Sequence, residues 1–196
     1  MIFYGNSGCG KTTIALALMN EFDVHYRMLN ATINSKKDFE IVFEESKMYD
    51  DLVLIVDEIH RMNKDKQDLL LSYIESGKVI LIGLTNSNPF HSINPAIRSR
   101  CQMVLLKEIN ENDIFNTLDR VKEVYPDINL SDEVKKYISK QSNGDLRYAY
   151  NLIEFCYNGF GKEFTIEDIK TINNNVNFFH DKNEDGYYDV ISAFQK

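Results

Sequence analysis

Short apolar runs of strand length recur along the chain, with helix-length amphipathic stretches between them. They lie at Ile2-Phe3-Tyr4, Tyr26 to Leu29, Leu52 to Val56, Val79 to Leu84 and Met103 to Leu106. Leu52-Val53-Leu54-Ile55-Val56 shows no polar alternation, as expected of a strand covered on both faces. Ile14, Leu16 and Leu18 in an Ala-rich stretch predict the first helix. Strands that alternate with helices predict a parallel sheet sandwiched in three α/β/α layers. After Leu106 the strand pattern stops and helix starts take over. Asn110 with Asp113, Ser131 ahead of Asp132 and Glu133, and Thr165 with Asp168 each set a capping side chain before an amphipathic segment. Tyr125-Pro126-Asp127 and Asn143-Gly144 mark the turns between those segments. The pattern therefore predicts an α/β core over 1–107 and a small all-α lid domain over 108–172. Over 173–196, from Asn173-Asn174-Asn175 on, periodicity fades into an expected linker and the opening of a truncated further domain.

Composition narrows the class. With 196 residues, 43% of them hydrophobic and 27% charged, the chain can bury a core of ordinary size. No run approaches the roughly 18 apolar residues of a membrane span. The first residues also lack a basic-then-apolar export pattern, so a cytoplasmic protein without a membrane partner is expected. Cys9, Cys101 and Cys156 are scattered with no C-x-x-C spacing, which argues for reduced thiols and against a disulfide framework or zinc site. The formal net charge of −8 repels nucleic acid at long range, so any contact with DNA must use a local basic patch.

The first apolar run leads directly into Gly5-Asn6-Ser7-Gly8-Cys9-Gly10-Lys11-Thr12, which fits G-x-x-x-x-G-K-[ST], with Thr13 following as the helix begins. Glycines let the backbone curl so that successive N–H groups face phosphate oxygens beside a positive helix end. A strand before and a helix after meet the context that this motif requires. The expected ligand is ATP with Mg²⁺: Lys11 reaches the β- and γ-phosphates and Thr12 offers its hydroxyl to the metal. Cys9 is read as a small residue tolerated in a loop whose backbone makes the contacts.

Further candidates fall at strand ends. Asp57-Glu58 closes the buried central run, on the edge of an open α/β sheet where ligands bind. Asp57 is expected to hold Mg²⁺ and Glu58 to orient and polarise the attacking water. Thr85 ends the next strand and offers a hydroxyl to the γ-phosphate or the water; Thr85-Asn86-Ser87-Asn88-Pro89 is also a plain turn sequence. Arg98 and Arg100 precede the last strand, and one guanidinium there could stabilise a transferring phosphoryl group, in cis or in a neighbouring copy's site. Gly144-Asp145-Leu146-Arg147 opens a helix of the second domain, from which Arg147 could report the nucleotide state. His60 has no second ligand and is read as structural. Asp181 to Gly186 imitates the first half of a calcium loop, but Ser192 stands where a bidentate glutamate is needed, so a polar turn is expected.

Taken in order, Gly5 to Thr12, Leu52 to Glu58, Thr85, Ser99-Arg100-Cys101 and Gly144-Asp145-x-Arg147 resemble the Walker A, Walker B, sensor 1, arginine finger and sensor 2 elements of an AAA+ P-loop ATPase of the clamp-loader-like branch. Leu29-Asn30-Ala31-Thr32, Val56 to Lys64, Gly83 to Pro89 and Tyr188 to Phe194 are further similar to the replication-associated recombination protein A family, whose eukaryotic relative is the Werner helicase-interacting protein. The resemblance implies a DNA-dependent ATPase that remodels DNA or DNA-bound proteins in replication-fork maintenance and recombinational repair. It implies a nucleoid-associated homo-oligomer that contacts single-stranded or forked DNA, single-stranded-DNA-binding protein and replisome components. By the same match Lys11 and Thr12 bind phosphate and Mg²⁺, Asp57 binds Mg²⁺, Glu58 is the base, Thr85 and Arg147 are the two sensors, and Arg100 acts in trans. Family members carry a segment ahead of the phosphate loop and an oligomerisation domain at the other end, so weak nucleotide affinity and a largely monomeric species are expected of these 196 residues. A clamp-loader subunit, a Holliday-junction motor, a non-hydrolysing nucleotide-binding module and a small-molecule kinase stand as rival readings.

Overall fold

The computed structural model describes residues 1–49 and 52–172. The chain divides into two compact units, Met1–Glu108 and a second that starts at Ile109. In the first, β1 (Ile2–Tyr4), β2 (Tyr26–Asn30), β3 (Leu52–Asp57), β4 (Val79–Thr85) and β5 (Met103–Leu105) form one sheet in the order β2-β3-β4-β1-β5. Every pairing is parallel. Five strands arise where the five apolar runs were expected, because helices cover both faces of this sheet and its inner strands need no alternation; Leu52 to Val56 are all buried, while Arg27, Met28 and Leu105 on the edge strands are exposed.

Successive side chains leave a strand on opposite faces, and the core divides accordingly. Ile2, Leu52, Leu54, Val56, Val79 and Leu81 pack under Phe39, Val42 and Phe43 of α2 (Lys36–Glu45), Leu70 of α3 (Lys64–Glu75), and Ile97, which follows the short α4 (Pro89–Ser92) in α5 (Pro95–Arg98). Phe43 lies flat on Tyr73, with ring centroids 3.8 Å apart. Phe3, Val53, Ile55, Ile82 and Leu84 point the other way, onto Ala15 and Met19 of α1 (Lys11–Phe22). The result is the three-layer arrangement, with all strand carboxyl ends on one edge.

The regular elements among the second unit's described residues are all helical: α6 (Glu111–Thr117), a 3₁₀ stretch Leu118–Glu123, α7 (Asp132–Gln141), α8 (Leu146–Phe160) and a helix over 166–172. Ile114, Leu118, Val121, Val134, Ile138, Ala149, Ile153, Cys156 and Ile169 form its core. The expected caps form. Asn110 accepts from the Asp113 N–H at 2.9 Å, Ser131 from that of Val134 at 3.3 Å, and the Asp168 carboxylate holds the Thr165 N–H at 2.8 Å. Each satisfies donors that a helix start leaves without an intrahelical partner. Asn173 to Asn175, the Asp181 to Gly186 stretch and Tyr188 to Phe194 lie outside the described residues. Among the described residues no helix is long and apolar enough to cross a membrane.

Candidate nucleotide-binding site

The loop between β1 and α1 is pinned to the sheet at its base. Gly5 donates its N–H to the Thr85 carbonyl at 3.3 Å. Its φ is +155°, and a Cβ there would stand 2.4 Å from the Leu106 carbonyl oxygen, so only glycine lets the strand turn into the loop at this point. Asn6 Nδ2 donates to Glu108 across the loop's outer side, and Cys9 is buried beneath it. Asn6 and Ser7 are exposed, while Gly8 and Gly10 are half-buried.

At the other end of the loop, α1 begins differently from its neighbours. Its cap, Gly10, sits at φ +89° and lends no side-chain acceptor, and the first turn carries no acidic residue. In contrast Asn63, Asn110, Ser131 and Asp145 cap α3, α6, α7 and α8 with side-chain oxygens. The first bond of α1 runs from the Ile14 N–H to the Gly10 carbonyl at 2.9 Å. The amides of Lys11, Thr12 and Thr13 come before it, at the positive end of the helix dipole, and are suited to an anion. Lys11 Nζ lies over the loop, donating to the carbonyls of Gly5 at 2.9 Å and Asn6 at 2.7 Å. This donor set fits a polyphosphate.

The sheet brings the acidic pair to the same edge. Tyr4 pairs with Thr85, and Val56 with Gly83, so β4 separates the loop after β1 from Asp57-Glu58 after β3. Asp57 ends β3 in register with Asn30, and its Oδ1 accepts the Glu58 N–H at 2.9 Å. Glu58 turns the chain with a left-handed backbone, φ +52°, into the 3₁₀ turn Ile59–Arg61. Among the described residues no three His, Cys, Asp or Glu side chains gather into a metal-holding group. Mg²⁺ characteristically needs only one or two protein oxygens when phosphates and waters supply the rest, and Thr12 with Asp57 fits that pattern.

Sequence reasoning missed a contact at His60. The turn after β3 lays its ring between Glu58 and Thr85: Nδ1 is 2.9 Å from the Thr85 hydroxyl, and Nε2 is 3.5 Å from the Glu58 carboxylate. Arg61 Nε lies 3.4 Å from the same carboxylate. Thr85 is fully buried and also accepts the Ser87 N–H at 3.0 Å. The available signal was the short spacing from Glu58 to His60, but that becomes informative only once the turn is known to fold back toward β4.

The two candidate arginines separate. Arg98 is tied locally, donating to the Ile93 carbonyl at 3.1 Å and lying over the Phe90 ring. Arg100 is exposed, in an ion pair with Glu75 at 2.6 Å. Arg147 occupies the first turn of α8, exposed, after the left-handed pair Asn143 and Gly144. Cys156 is fully buried, and burial pushes its thiol from 9.0 up to about 12.

Comparison with known proteins identifies the fold and the family. The model of the ATPase family associated with various cellular activities (AAA) matches residues 1–109, and that of the AAA C-terminal domain matches 123–196. Replication-associated recombination protein A of Bacillus subtilis is 41% identical over the whole of this chain and 49% of its own length. The Escherichia coli K12 protein of that name is 32% identical over the whole chain and 47% of its length. ATPase WRNIP1 of Dictyostelium discoideum is 28% identical over the whole chain and 26% of its length. The chain thus spans about half or less of these relatives. The solved Thermotoga maritima RuvB Holliday junction branch migration motor matches 87% of this chain and 59% of its own with a TM-score of 0.71; at 22% identity this likeness speaks for the fold. The chain belongs to the AAA ATPase family, and within it its whole length aligns with replication-associated recombination protein A.

Proposed function

We propose that this chain is the ATP-hydrolysing module of a DNA-remodelling ATPase that acts in replication-fork maintenance and recombinational repair. The observation that carries the reading is the pairing, on one sheet edge, of a glycine-capped helix start under a lysine with an acidic pair one strand beyond β4. Backbone amides from Gly8 to Thr13 and the Lys11 ammonium would hold the phosphates. Mg²⁺, held by Thr12 and Asp57, would neutralise charge between the β- and γ-phosphates. Glu58 orients a water for in-line attack on the γ-phosphorus and accepts its proton, and the bond to the bridging oxygen breaks to leave ADP and phosphate. Thr85 bonds the γ-phosphate or the water, and Arg147 takes the second sensor's part. Arg100 acts on the nucleotide of a neighbouring copy in a homo-oligomer.

The relatives' names, with replication-associated recombination among them, support a DNA substrate. Single-stranded or forked DNA would be met through a local basic patch, since the net charge is −8. Single-stranded-DNA-binding protein and replisome components are the expected protein partners, and the nucleoid is the expected location. The test is ATP turnover by the intact protein against single-stranded, duplex and forked DNA at two salt concentrations. Stimulation by forked or single-stranded DNA that weakens with salt is expected. Turnover indifferent to every DNA would overturn the DNA-dependent reading.

A further inference from the structure

We propose that Glu75 is a positioning residue for a neighbouring copy's reaction: its carboxylate, together with the Ala96 carbonyl, mounts the Arg100 guanidinium so that its remaining N–H groups are offered to the next protomer's phosphate. This rests on the trans role proposed above for Arg100 and adds what orients that side chain.

Arg100 stands just past α5, and that whole segment leans on α3. Leu70 of α3 and Ile97 of α5 are buried in one core. At the near end, Gln67 accepts the Asn94 N–H at 2.9 Å while its own amide donates to the Met62 carbonyl at 2.8 Å. At the far end, Glu75 is the last residue of α3, and its carboxylate lies 2.6 Å from Arg100 Nη2. Arg100 Nη1 donates to the Ala96 carbonyl at 2.9 Å and to Ser99 Oγ at 3.3 Å. The guanidinium is thus held at two of its three nitrogens. Nε–H makes no hydrogen bond among the described residues, Nη2 has two hydrogens for one carboxylate neighbour, and 41% of the side chain is exposed. Donors fixed in one plane suit two oxygens of a phosphate. A pair this exposed adds little to stability, because water screens it. Nor does a carboxylate help the end of α3, where the helix dipole is already negative and the last turn holds no basic residue. What the contact supplies is order: an arginine left loose gives up its rotamers only when the phosphate arrives.

The measurement is phosphate release by the intact protein with saturating ATP and Mg²⁺, at concentrations where turnover per protomer no longer rises. Glu75→Ala is expected to lower kcat about tenfold, with ADP affinity and melting temperature unchanged, and to lower nothing further in the Arg100→Ala background. Should the alanine variant melt lower, Glu75→Gln repeats the comparison. Mixing supplies a readout that a merely structural role would not move. Glu58→Gln protomers release no phosphate themselves but keep Glu75 and Arg100, so an equal amount of them should raise turnover per Glu75→Ala protomer severalfold, and should not when they also carry Arg100→Ala. Faster turnover in Glu75→Ala, an equal loss in the Arg100→Ala background, or no rise on mixing would overturn the proposal. If Arg100→Ala turns over as the parent does, the trans role of Arg100 fails and that of Glu75 with it; if Arg100→Ala is impaired while Glu75→Ala is not, the mount alone fails.

Discussion

At the scale of single residues, Gly5 and Cys156 show how local geometry sets behaviour. A methyl group at Gly5 collides with the Leu106 carbonyl, which belongs to the backbone and has no room to yield. Gly5→Ala is therefore expected to cost about 1–3 kcal/mol of stability, read from thermal melts, and to displace the loop so that ATP binding is lost. Cys156 lies in the second unit's core with its thiol pushed up to about 12. It should resist alkylation at pH 8 in the folded protein and react once unfolded, as mass spectrometry can read. The raised acid also fixes a sign. Between about 9 and 12 the folded state holds a proton that the unfolded state has given up, so stability falls as pH rises through that window. Cys156→Ala should flatten that fall in alkaline melts.

Among the elements, much was legible before any coordinates. The apolar runs marked the five strands because a parallel sheet covered on both faces buries its inner strands, Leu52 to Val56 of β3 throughout, although Arg27, Met28 and Leu105 on the edge strands are exposed, and the Asn110, Ser131 and Thr165 signals marked helix starts because their oxygens satisfy donors that helices leave open. Ser131→Ala should thus lower stability by about 1 kcal/mol in a denaturant titration, with ATP binding by the first unit unchanged. The continuation of α6 as the 3₁₀ stretch Leu118–Glu123 was not legible, since Leu118 and Val121 at spacing three serve either helix type. Nor was the His60 contact, which depends on the left-handed bend at Glu58 folding the next turn against β4. Long-range contacts of this kind have no periodic signature in a sequence.

For the whole molecule, sheet order decides the chemistry. The sequence named the phosphate loop and the acidic pair separately, and only the order β2-β3-β4-β1-β5 sets them on either side of β4 at one edge. The arginines show the reverse: residue type nominated both Arg98 and Arg100, while packing ties the first to Ile93 and Phe90 and leaves the second exposed. If Arg100 acts in a neighbour's site, turnover per protomer should rise with protein concentration, and Arg100→Ala should abolish that rise, with a loss of about a thousandfold at saturation. The central claim, a triphosphate in the Gly5 to Thr12 loop facing Glu58, is tested most directly by measuring ATP binding and phosphate release together in Lys11→Ala and Glu58→Gln. The account predicts that the lysine variant loses binding, while the glutamine variant binds ATP as the parent does and releases no phosphate. Equal loss of binding and release in the glutamine variant, or undiminished binding in the lysine variant, would contradict it.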